Sequence, residues 1–98
     1  MSGVSGEVLF RRLLSSTTKG DLLLLFRKNP GLIDTYEGVA RRIGKKSEGV
    51  RSDALDLVEI GVLSKKKVGQ SDVLYLNREK DAEIQEAVGK YLKGLKSG

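Results

Sequence analysis

The sequence predicts a mainly α protein with one small β-hairpin, an α+β fold held in a single domain over residues 1–98. Three observations carry that reading. Apolar residues recur at helical spacing in five stretches, and the period shortens to two only between about residues 62 and 77, where β-forming residues gather. A chain of 98 residues can bury about 64% of its unfolded surface, enough for one small core and no second.

The first helix is expected over about Ser5 to Ser16, with Val8, Leu9, Leu13 and Leu14 around Arg11 and Arg12. Ser15-Ser16-Thr17-Thr18 ends it and offers N-cap hydroxyls to a second helix, about Lys19 to Lys28, whose run Leu22 to Phe26 is apolar on nearly every side and therefore central. Asn29-Pro30-Gly31 forces a turn, and Leu32-Ile33 forms a short extended link. Asp34 then serves as N-cap, with Glu37 three residues on in the spacing of a capping box. Tyr36, Val39, Ala40 and Ile43 stripe one face of the third helix, leaving Arg41 and Arg42 on the other, and Gly44 fits its C-terminal cap. Ser47 can cap a fourth helix running to about Ile60, striped by Val50, Ala54, Leu57 and Val58 and closed by Gly61. Two short helices joined by three or four residues that include a glycine have the spacing of a helix-turn-helix, here about residues 34–60. Val62-Leu63 and Val73 to Leu76 read as two strands, separated by Lys65-Lys66-Lys67 and the turn signal Gly69-Gln70-Ser71-Asp72, so the hairpin of residues 62–77 carries a basic tip. A last helix over about 78–96 aligns Ile84, Val88, Tyr91, Leu92 and Leu95 on one stripe.

Composition narrows the chemistry. The chain has neither Cys nor His, which removes the usual thiolate and imidazole ligands, the cysteine nucleophile and the commonest general base. No metal, no cofactor and no enzymatic role is expected. Gly44-Lys45-Lys46-Ser47 shares letters with a phosphate-binding loop, but that motif needs Gly at position 39 and Ser or Thr at 46, where Val39 and Lys46 stand. The longest apolar run, Leu22 to Phe26, is far short of the roughly 20 residues that span a bilayer. The opening Met1 to Gly6 lacks the basic start and apolar stretch of a secretory signal, so a cytoplasmic location without membrane contact is expected. A net charge of +5 favours an anionic partner.

The stretch Asp34 to Asn77, DTYEGVARRIGKKSEGVRSDALDLVEIGVLSKKKVGQSDVLYLN, resembles the winged-helix DNA-binding domain of ArsR- and MarR-type transcriptional regulators. EGVARRIG resembles the first helix of their helix-turn-helix, SEGVRSDALDLVEIGVL the recognition helix, and KKKVGQSDVLYLN the wing. The resemblance implies a three-helix core plus wing with an additional C-terminal helix. It implies binding to double-stranded DNA, the recognition helix in the major groove and the wing on phosphates. By position it nominates Ser47, Glu48, Arg51 and Ser52 on the helix, Lys45 and Lys46 just before it, and Lys65, Lys66, Lys67 and Gln70 on the wing. Arg51 suits base readout, because its fork can meet guanine O6 and N7 together, while the lysines suit phosphate. In the resembling regulators terminal helices commonly dimerise, which makes Ile84, Val88, Tyr91, Leu92 and Leu95 the expected seam of a homodimer. Departure from the metal-sensing members is clear in the missing Cys and His.

Charge opens a second reading. Residues 47–61 carry a net −3 and residues 62–78 a net +3, so the expected recognition helix is acidic, with Glu48, Ser52, Asp56 and Glu59 on its outward face. Carboxylates facing phosphates repel. The alternative is a protein-interaction module that uses the acidic face of helix 48–59.

Overall fold

Among the described residues four of the five helix starts, all but that of the fourth helix, are marked by a hydroxyl or amide that the chain places just ahead of them. In this computed structural model, which describes residues 5–97, Ser5 Oγ accepts the Val8 N–H at 3.2 Å and opens α1, Gly6–Leu13. Of the four hydroxyls offered by Ser15 to Thr18, Ser16 is the cap: its Oγ accepts from Lys19 N at 3.0 Å and α2 spans Thr17–Lys28. The expectation about a secretory signal falls partly on residues 1–4, outside the described residues.

The extended link proves to be a strand. β1, Ile33–Thr35, pairs antiparallel with β3, Ser71–Leu76, which also pairs with β2, Leu63–Val68, giving a three-stranded sheet in the order β1-β3-β2. The expected cap at Asp34 is therefore shifted by one residue. Asp34 is inside the strand, and Thr35 is the N-cap of α3, Tyr36–Arg42, its hydroxyl accepting from Gly38 N at 3.1 Å. Asp34 instead accepts from Thr35 N at 2.8 Å and from Arg42 Nε at 3.0 Å.

The turn after α3 is a Schellman motif. Gly44 takes φ +71°, its N–H reaches Arg41 O at 3.2 Å, and Lys45 N–H reaches Ala40 O at 2.9 Å. A left-handed residue is needed there, and glycine adopts it without strain. α4, Ser47–Ile60, follows with Lys46 rather than Ser47 at the N-cap position and no side-chain capping bond. Gly61, at φ +111°, ends it.

The wing hairpin is longer than its apolar residues suggest. Lys65, Lys66 and Lys67 lie within β2, paired with Leu74, Val73 and Asp72, and the turn is only Gly69-Gln70, with Gly69 at φ +63°. The hairpin extends beyond the core, so its outer residues can be charged and still keep the β ladder.

Phe26, Leu22, Leu57, Leu63, Leu74, Val39, Val50 and Val62 form the fully buried centre, drawn from α2, α3, α4 and the sheet. Leu24, at 57% exposure, is the exception in the apolar run of α2. α5, Arg78–Ser97, starts at Asn77, whose Oδ1 accepts from Lys80 N at 3.0 Å. Arg27 forks onto buried Asp81, with Nη2 to Oδ1 at 2.7 Å and Nε to Oδ2 at 3.1 Å, pinning α5 to α2. α1 then packs along α5, and a Cβ on Gly6 would run into the Ala87 carbonyl oxygen and stand 2.9 Å from Tyr91 Cβ.

Candidate nucleic-acid interface

α3 and α4, joined by the glycine turn, present the start of α4 next to the sheet. Lys46, at the N-cap position, is exposed. Lys45 is drawn toward Asp21, Nζ to Oδ2 at 3.8 Å, an exposed and weak pair. Ser47 is half-buried, whereas Glu48, Arg51 and Ser52 are exposed. Arg51 does not extend freely: its guanidinium lies over the Tyr36 ring, 4.7 Å from the centroid. A stacked guanidinium keeps its donor edge available.

On the wing, Lys65, Lys66 and Lys67 are all exposed, and strand alternation puts Lys65 and Lys67 on the opposite face from Lys66. Lys66 Nζ stands 5.5 Å from the Tyr75 ring centroid, and Lys67 Nζ is 3.6 Å from Asp72 Oδ1. Gln70 is exposed at the tip. A cleft of about 290 Å³ separates helix and wing, lined by Thr35, Tyr36 and Glu37 on one side, Arg51 on another, and Gln70, Ser71 and Asp72 at the wing tip. It brings together Arg51 and Gln70. Lys45, Lys46 and the three wing lysines stand outside its lining.

The acidic face of α4 is not the open surface expected of it. Asp56 accepts from Lys19 Nζ and, at 2.7 Å, from Arg12 Nη2, while Lys19 Nζ also reaches Ser15 Oγ at 2.8 Å. Lys19 is only 6% exposed. The Lys19 hydrogen bond holds the Asp56 carboxyl below the usual carboxylate range, against desolvation by burial and with help from Arg12. Glu59 lies 4.0 Å from the same Arg12. α1 and α2 thus engage Asp56, the centre of that face, while Glu48 and Glu59 stay exposed on it. Asp34 is lowered too: burial pushes it up, but Arg42 and the Thr35 N–H outweigh that.

The stripe on α5 is divided. Ile84, expected at a dimer seam, is 3% exposed and sits in the chain's own core. Val88 packs partly buried against that core, and Tyr91 stacks on Phe10 with centroids 5.8 Å apart. α1 covers these positions, leaving Leu92 at 40% and Leu95 at 61% exposure. Sequence reasoning does not nominate Tyr36, one of the residues lining the cleft, because its position on the apolar stripe of α3 marks it as core, which its ring is. Among the described residues no group of three acidic side chains is placed to hold a metal.

A helix-turn-helix followed by a β-hairpin, with a short strand closing the sheet, defines a winged helix-turn-helix fold. The chain is similar to the solved structure of a possible transcriptional regulator from Methanosarcina mazei Go1, with a TM-score of 0.61 at 13% identity over 93% of this chain and 82% of that one. It is similar also to an ArsR family transcriptional regulator, at TM-score 0.64 and 13% identity over 92% and 89% of the two chains. The AntR antimony-specific transcriptional repressor matches at TM-score 0.61 and 18% identity over 91% and 78%. These likenesses establish the winged-helix fold. No protein-family model and no curated protein matches the sequence.

Proposed function

We propose that the protein binds double-stranded DNA as a transcriptional regulator in the cytoplasm, a binding protein rather than an enzyme. α4 enters the major groove with Ser47, Glu48, Arg51 and Ser52 toward the bases, while Lys45, Lys46 and the wing grip phosphates. The observation that carries the reading is the shared cleft: Arg51 of α4 and Gln70 of the wing tip line one space, so helix and wing can act on one duplex. Three consecutive wing lysines add the charge that phosphate contact needs. The neighbours in fold are named as transcriptional regulators, in keeping with this role. The functional unit is a homodimer joined through the outer end of α5, where Leu92 and Leu95 are exposed. No helix among the described residues is long and apolar enough to cross a membrane.

The test is titration of a labelled duplex across a salt series. Wild-type protein should bind at low salt, and substitution of Lys65, Lys66 and Lys67 by Ala should weaken binding and flatten the salt slope by about 0.9 for each phosphate no longer neutralised. Wild-type protein that fails to shift any duplex at low salt would overturn the reading.

A further inference from the structure

Tyr36 buries its ring in the core at 5% exposure, and its hydroxyl is buried as well, yet Tyr36 Oη has no hydrogen-bond partner among the described residues. A buried hydroxyl without a partner is unfavourable, and a phenylalanine ring would fill the same space without that cost. Packing therefore does not account for the oxygen. Its surroundings do point somewhere. Tyr36 lines the cleft between α4 and the wing tip, and the guanidinium of Arg51 covers its ring at 4.7 Å. Arg51 is exposed, and among the described residues its guanidinium rests on that ring. A side chain parked in this way leaves readily when a stronger partner is offered. Of the two carboxylates in the lining, Asp72 is countered by Lys67, and Glu37 is exposed where water and salt screen its charge.

We propose that the cleft seats one phosphate oxygen of the duplex backbone, with the Tyr36 hydroxyl as its donor, uncovered when Arg51 leaves the ring for the groove. The proposal rests on the DNA-binding reading and adds to it a residue inside the core as a backbone contact. The hydroxyl is neutral, so it fixes position without releasing a counterion. In the free protein Arg51 keeps the site shut, and in the complex the same movement delivers Arg51 to base edges and opens the phosphate seat.

The experiment compares wild type with Tyr36→Phe on one duplex, in three measurements. The variant should bind roughly 3–10-fold more weakly, the worth of one neutral hydrogen bond, with an unchanged salt slope. Its thermal midpoint should equal or exceed that of wild type, because the substitution removes no hydrogen bond from the folded chain. Duplexes carrying single neutral methylphosphonates should show one position that weakens wild type and leaves Tyr36→Phe no weaker than before. Equal affinity of the two proteins, identical methylphosphonate profiles, or a lowered midpoint in the variant each overturns the proposal, the last because the oxygen would then serve the fold. Absence of wild-type binding to any duplex instead overturns the DNA-binding reading, and the seat with it.

Discussion

Asp56 accepts from both Lys19 and Arg12, and so one carboxylate joins α4 to α2 and α1. Replacing it by Asn would leave the buried Lys19 ammonium with neutral acceptors, Ser15 Oγ and the amide oxygen, in place of the carboxylate. Breaking a fully buried pair costs about 3–5 kcal/mol, and with Asp56 about a quarter exposed the expected loss is about 2 kcal/mol. Calorimetry should register that as a midpoint lower by about 10 °C. Because Asp56 and Asp34 both have folded pKa values below their ordinary ones, their stabilisation is present above the carboxylate range and lost as pH falls through it. Wild-type stability should therefore decline as pH drops below about 4, and Asp56→Asn should decline less steeply. Helical periodicity does place Asp56 on the face of α4 opposite its buried stripe. It cannot show Arg12, 44 residues away, laid across that face, because periodicity relates residues within one element only. Tyr36 is hidden for the converse reason: its core ring is legible at i, i+3, i+4 spacing, while an unpaired hydroxyl is a fact of three dimensions.

The elements themselves are legible where glycine and hydroxyl signals agree with periodicity. Gly44 and Gly61 close α3 and α4 at the positions their sequence context predicts, both with positive φ. β1 is less legible because three residues are too few to show alternation; its pairing with β3, Asp34 opposite Leu74, makes it a strand. Lys65 to Lys67 suit a loop by their charge, whereas a two-residue turn at Gly69-Gln70 keeps the ladder intact through them. Packing of α1 on α5 gives the sharpest test at this scale. Gly6→Ala forces a methyl against the Ala87 carbonyl and Tyr91, at a cost of about 1–3 kcal/mol. Amide exchange should speed up in α1 and in the facing part of α5, while α3 and α4, which do not share that contact, keep their protection.

Seen whole, the chain measures 48 × 26 × 21 Å, elongated by a helix that outruns its support. α5 has 20 residues, about 30 Å, against 8 residues and about 12 Å for α1. Leu92 and Leu95 thus stand exposed on the outer half of α5. In the proposed homodimer this end carries the contact: sedimentation should give twice the 10.7 kDa chain mass, and Leu95→Glu should return the monomer without lowering the thermal midpoint. A wild-type mass that stays at one chain at every concentration would exclude the arrangement.

The close crossing at Gly6 and Ala87 falls about halfway along α5, so the angle at which the two helices meet there sets where the Leu95 end stands. A tilt of about ten degrees there would carry the Leu95 end through about 2 Å, since about 12 Å of helix lies beyond it. Two copies gripping one another by these ends would translate that angle into the distance between their α4 helices. Matching the roughly 34 Å of one duplex turn would then be decided by leverage at a glycine that need not touch DNA.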